Sequence, residues 1–217
     1  MLRPGISRIL AAAFLPVDNP IAADTDVRRP ESLRYFMTPE TKAIGHVLHP
    51  LSCDWSLRHQ YPAFLLLPHW RDWLLDKGSL TARLSALQPG SFNVSVLREY
   101  HTRPTPTERR ALRLSHQQTV WVREVILRLG DVPLVYARTA VPLATLSGSE
   151  RRLQSLGNRS LGSYLFRQPS LQRTPLKVCH CRKNHLGLQW ARYSLFRLKG
   201  KPLLVSEGFS ARLNEFI

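Results

Sequence analysis

The sequence predicts an α+β fold, an antiparallel sheet with helices packed on it, from three observations. Residues 119–141, TVWVREVILRLGDVPLVYARTAV, are two runs of β-branched and aromatic residues flanking a Gly130-Asp131 turn, which reads as a hairpin. A second hairpin, ARYSLFRLKGKPLLVSEGFS, turns at Lys199-Gly200-Lys201 near the C-terminus. Ahead of and between the hairpins, residues 68–87 and 145–166 space their apolar side chains close to the helical period.

Taken in order, residues 1–60 read as an N-terminal extension, partly disordered, ahead of a domain over 61–217. The apolar run from Ile9 to Val17 is short and broken by Pro16. It reads either as a weak secretory signal ending near Ala22-Ala23 or as an ill-ordered tail, and the proline favours the tail. Residues 31–60 suggest short helical pieces draped over the domain. From Tyr61 the pattern firms: Trp70, Trp73 and Leu74 predict a helix to about Asp76, and Ser79 caps a second one that Pro89-Gly90 ends. Residues 92–100 alternate as a strand, and 101–118 form a polar loop leading to the first hairpin. After Pro142, Ser147 or Ser149 caps a helix closed by Gly157, and a shorter helix starts near Ser160 or Leu161. Its first amides could hold a carboxylate, although an ordinary helical hairpin explains the same pattern. Residues 168–188 are a basic loop.

Composition limits the function. The net charge is +16, yet residues 1–60 carry seven basic and six acidic side chains, so fifteen of the sixteen surplus charges fall on residues 61–217. Such a field draws anionic substrates. There is no zinc-finger spacing, aromatic RNA-binding strand or helix-turn-helix, so no specific nucleic-acid partner is expected. No segment approaches the roughly 18 to 20 apolar residues of a spanning helix. Three cysteines make no disulfide framework and point to a reducing compartment, the cytoplasm. Cys179, His180, Cys181 and His185 offer soft ligands at a spacing that fits no common zinc site, so no metal is expected.

The candidate site comes from charges that interrupt apolar stripes. Arg123 shares a face with Trp121, Val125, Leu127 and Leu129; Arg138 shares one with Leu134, Tyr136 and Ala140. Glu207 interrupts Leu203, Val205 and Phe209 in the same way. A guanidinium cannot shed its charge, so burying one unpaired costs several kcal/mol. The alternation sends all three charges toward a common interior. Two readings fit: a buried ion-pair network, or a closed pocket for a small dianion with a carboxylate left for proton transfer or for a hydroxyl.

The segments DWLLDKGSLT, WVREVIL, ARTAVPLATLSG, LGSYLF and KGKPLLVSE, in this order from about Trp70 to Phe209, closely resemble the chorismate lyase family. The resemblance implies an antiparallel sheet of about six strands, with helices against it and helical flaps over an internal pocket. It also implies the activity: loss of pyruvate from chorismate to give 4-hydroxybenzoate, the first committed step of ubiquinone biosynthesis. Aromatisation drives the reaction, so no cofactor is implied. Carried over by motif, Arg123 and the amides at Leu80 and Leu161 hold the ring carboxylate and Arg138 stands by the departing enolpyruvyl group. Glu207 faces the ring hydroxyl as general base or hydrogen-bond partner. Leu80 stands where the family often has methionine, of little consequence for a main-chain contact. The expected partners are the substrate chorismate and the product 4-hydroxybenzoate, with the chain a monomer. The alternative within this fold is a non-catalytic small-molecule-binding domain, as in GntR-like transcription regulators; those need a DNA-binding domain that residues 1–60 are too short and irregular to supply.

Overall fold

The computed structural model describes Leu51, residues 66–181 and residues 187–217. Helices α1 (Pro68–Leu74) and α2 (Leu80–Leu87) lead into strand β1 (Phe92–Thr102), helix α3 (Pro106–Leu112) and the hairpin β2 (Val120–Leu129) to β3 (Val132–Pro142). Two 3-10 segments, Leu143–Thr145 and Gly148–Ser155, and helix α4 (Leu161–Leu165) follow. The chain then forms β4 (Gln172–Arg173), β5 (Lys177–His180) and the hairpin β6 (Leu188–Leu198) to β7 (Lys201–Ser210), and ends in a 3-10 segment, Ala211–Glu215. All strand pairs are antiparallel, in the order β1-β2-β3-β7-β6-β4, with β5 also on β6. The sheet has seven strands: the five that the periodicity predicts, joined by two short ones beside β6 in the stretch read as a basic loop. Among the described residues no helix is long and apolar enough to cross a membrane.

Both predicted hairpins form, the second through Lys199 and Gly200 at φ 51° and 79°, the left-handed pair that a tight two-residue turn needs. Every residue of β2 is buried, so the sheet is covered on both faces. On the front, Trp70, Trp73 and Leu84 pack on Val125 and Leu127, while Leu153, Leu156 and Leu165 pack on Trp121, Phe196 and Val205. On the back, Val122, Ile126, Tyr136 and Leu204 form a separate cluster with Cys179 and Cys181, which are thiols. Leu51 is buried in this back cluster against Gly208; the rest of the extension and His185 lie outside the described residues.

Two segments differ from the sequence expectation. The polar loop 101–118 contains α3, opened by Pro106 and closed at its start by a capping box in which Glu108 N donates to Thr105 Oγ1 (3.3 Å) and Thr105 N to Glu108 Oε2 (2.8 Å). The helix read after Ser147 is 3-10, with no side-chain cap from Ser147.

Candidate active site

A cavity lies between the front of the sheet and the first turns of α2 and α4. Arg123 and Val125 reach it from β2, Ala137 and Thr139 from β3, Val205 and Glu207 from β7. Leu80 and Leu161 close it from above, and Arg173 lines its side. Ser79 caps α2 and Ser160 caps α4, their hydroxyls accepting from Ala82 N (3.3 Å) and Ser163 N (3.2 Å). The N–H groups of Leu80 and Leu161 have no hydrogen-bond partner among the described residues. Thr81 and Ser160 share a buried hydrogen bond between their hydroxyls, pinning the two helix starts together. Gly162 permits this approach: a Cβ there would lie 2.8 Å from Thr81 Oγ1.

Arg123 is 2% exposed. Its Nη1 donates to Glu99 of β1, and its Nη2 to the carbonyls of Gly157 (2.6 Å) and Arg159 (3.2 Å), which ties the loop ahead of α4 to the sheet. Its Nε has no partner among the described residues. At the other end Glu207 Oε2 accepts from Arg192 Nε at 2.5 Å, and Arg192 Nη1 donates to the carbonyls of Trp73 (2.6 Å) and Asp76 (3.1 Å). Arg192 is fully buried, so it fixes the Glu207 carboxylate against both β6 and α1. Opposite partners fix the spacing: Arg123 faces Thr139 and Glu207 faces Ala137, on strands two apart. With strands about 4.8 Å apart and a rise of about 3.4 Å per residue, their Cα atoms are roughly 12 Å apart. Two side chains reaching inward leave a gap of the order of one substituted ring.

Arg138 is not in this cavity. It points to the back of the sheet, where Nε donates to Glu108 Oε1 (2.7 Å) and Nη1 to Glu124 Oε1 (2.7 Å) and Tyr100 Oη (2.7 Å). Arg98 Nε completes the network on Glu124 Oε2 at 2.5 Å. The cause is a β-bulge. From the turn, Leu129 pairs with Val132 and Arg128 with Pro133, a register that would set Arg123 opposite Arg138 and on the same face. The register shifts between Leu127 and Arg128, so Arg123 pairs with Thr139 and Arg138 with Glu124. Pro133, which cannot donate to a ladder, marks the place. Both readings of the interrupting charges therefore hold in part: Arg138 belongs to a buried ion-pair network, while Arg123 and Glu207 line a pocket.

The network has defined electrostatics. Burial pushes the Glu124 carboxyl up, but the Arg98 and Arg138 guanidiniums outweigh it and hold the group below the usual carboxylate range. Burial would lower the Arg138 pKa; its bonds to Glu108 reverse the effect and raise it. Sequence reasoning missed Arg192 and Arg173. Arg192 carries the signal that found Arg123, an arginine in a buried strand between Trp190 and Ser194. Arg173 carried none, since its two-residue strand has no readable period.

The family model "Chorismate lyase" matches residues 59–214. "Probable chorismate pyruvate-lyase" of Chromohalobacter salexigens is 44% identical over 154 residues, covering 67% of this chain and 82% of that protein. "Chorismate pyruvate-lyase" of Erwinia tasmaniensis is 40% identical over 148 residues, covering 68% and 82%. The homologous protein of Aromatoleum aromaticum is 40% identical over 179 residues, covering 75% and 94%. Among solved structures, the effector domain of PhnF from Mycobacterium smegmatis aligns with a TM-score of 0.45 at 13% identity, over 63% of this chain and 91% of that one. A GntR-family transcriptional regulator from Bacillus cereus aligns with a TM-score of 0.42 at 12% identity, over 57% and 94%. Neither structural likeness carries an argument about what this chain does. The sequence matches do, and by them the chain belongs to the chorismate lyase family.

Proposed function

We propose that the protein is a chorismate pyruvate-lyase and that the cavity between Arg123 and Glu207 is its active site. The observation that carries the reading is a cation and a carboxylate about one ring apart, walled by apolar side chains and roofed by two helix starts with open amides. In the reaction, the C–O bond to the enolpyruvyl group breaks on one ring carbon and the neighbouring carbon, which bears the hydroxyl, loses its proton. The ring becomes aromatic 4-hydroxybenzoate, and the released enolate takes up one proton on its methylene carbon to become pyruvate.

Arg123 through Nε, with the amides of Leu80 and Leu161, binds the ring carboxylate. Glu207 meets the ring hydroxyl and the adjacent C–H as general base, held in place by Arg192. Arg138, on the far face, takes no part in binding and supports the sheet. Val125, Ala137 and Val205 exclude water beneath the ring, which strengthens each charged contact. A positioned general base contributes about 100- to 10,000-fold. Glu207→Ala should therefore slow 4-hydroxybenzoate formation from chorismate by at least about 100-fold, read by absorbance with the folded state checked by circular dichroism. An unchanged rate in a folded variant would remove Glu207 from the chemistry.

A further inference from the structure

Arg123, Arg192 and Arg138 each come with a carboxylate: Arg123 with Glu99, Arg192 with Glu207, Arg138 with Glu108 and Glu124. Arg173 lines the same cavity and has no ion pair among the described residues. Its position is nonetheless fixed. Nε donates to Ser194 Oγ (2.9 Å), and Nη1 to the carbonyls of Lys77 (3.0 Å) and Gly78 (3.3 Å) in the turn ahead of α2. The guanidinium lies 4.9 Å from the ring centre of Phe196 and 6.0 Å from that of Phe166. Only Nη2 is left without a partner. Burial lowers the Arg173 pKa, the Glu207 charge raises it and the Arg192 charge lowers it again. Arginine stays protonated through such a shift, so a half-buried charge is held in place with one donor edge unused.

The charges in the cavity point the same way. The pairs Arg123–Glu99 and Arg192–Glu207 cancel, which leaves Arg173 as surplus positive charge. Along the sheet the order is Arg123 on β2, Glu207 on β7 and Arg173 on β4, at the edge beyond Glu207. A chorismate whose ring carboxylate is at Arg123 and whose hydroxyl is at Glu207 carries its second carboxylate on the ether of the carbon next to that hydroxyl. We infer that Arg173 is the binding residue for the enolpyruvyl carboxylate, holding the leaving group by a charge-assisted hydrogen bond from Nη2. This rests on the lyase reading given above. It also gives the site a way to distinguish substrate from product, because 4-hydroxybenzoate lacks this carboxylate.

That difference supplies the test. Arg173→Gln and Arg173→Lys are compared with the wild type for kcat/KM on chorismate and for Kd of 4-hydroxybenzoate, with thermal midpoints measured alongside. Removing one partner of a charged hydrogen bond in this half-buried site is expected to lower kcat/KM by about 100-fold in Arg173→Gln. The Kd for 4-hydroxybenzoate should stay within about 3-fold, and Arg173→Lys should recover part of the loss by keeping the charge. A rise in that Kd matching the loss in kcat/KM would mean that Arg173 only shapes the pocket, and an unchanged kcat/KM would mean that it does not touch the leaving group; either result overturns the assignment. A wild type that releases no 4-hydroxybenzoate from chorismate would instead defeat the lyase reading itself.

Discussion

At Arg138 the consequence of one inserted residue can be measured. Reading charges off apolar stripes found Arg123, Arg138 and Glu207 correctly as buried or half-buried, because alternation within one strand is reliable. It could not assign Arg138 to a face, since that depends on the register between strands, and the bulge beside Arg128 changes the register by one. Pro133 was the readable warning. On the back of the sheet Arg138 is 3% exposed and bonded to two buried carboxylates. Removing it takes the guanidinium away from Glu108 and leaves Glu124 to Arg98 and Tyr100, a loss of about 3–5 kcal/mol for a broken buried pair. Arg138→Ala should lower the unfolding free energy by that amount in denaturant titration, while the folded fraction keeps its affinity for 4-hydroxybenzoate. A stable variant with weakened product binding would put Arg138 back at the site.

Among the elements, the 3-10 segment ahead of α4 is anchored electrostatically as well as by apolar packing. The 3-10 segment Gly148–Ser155 is tied to the β6–β7 hairpin by Lys201 Nζ on Glu150 Oε2 (2.6 Å) and Lys199 Nζ on Ser149 Oγ (2.7 Å). The hydrogen bond from Lys201 holds the Glu150 carboxyl at about 2, well under its usual value. A lowered folded pKa adds stability that is complete above the unfolded value of about 4.3 and is lost as pH falls toward about 2. The stability gap between wild type and Glu150→Gln should thus be largest near neutral pH and close by about pH 2, as read from thermal midpoints across pH. A constant gap would show that Glu150 contributes shape rather than charge. The two helix caps at Ser79 and Ser160 were legible in the sequence. The capping box of α3 is legible too, in Thr105 and Glu108, but the segment is too short and polar to show a helical period. The 3-10 form of 148–155 had no signal, since an eight-residue run cannot separate a period of 3.0 from one of 3.6.

For the molecule as a whole, the two hairpins put β3 and β7 side by side, so one strand pair carries both the floor of the cavity and its carboxylate. The strongly basic chain surrounds a cavity in which most charges are already paired, and this division suits a small dianion: long-range attraction outside, few unpaired groups within. The sheet and its hairpins could be read from periodicity because they bury long, regular stripes. Strands β4 and β5 could not, because two and four residues give no period to read, and Arg173 was hidden with them. The direct test of the account is to incubate the purified protein with chorismate alone and to quantify 4-hydroxybenzoate and pyruvate together. Both should form in equal amounts, at a rate proportional to protein concentration. Chorismate that is bound, as shown by a raised melting temperature, but recovered unchanged would contradict it and leave a binding domain in place of a lyase.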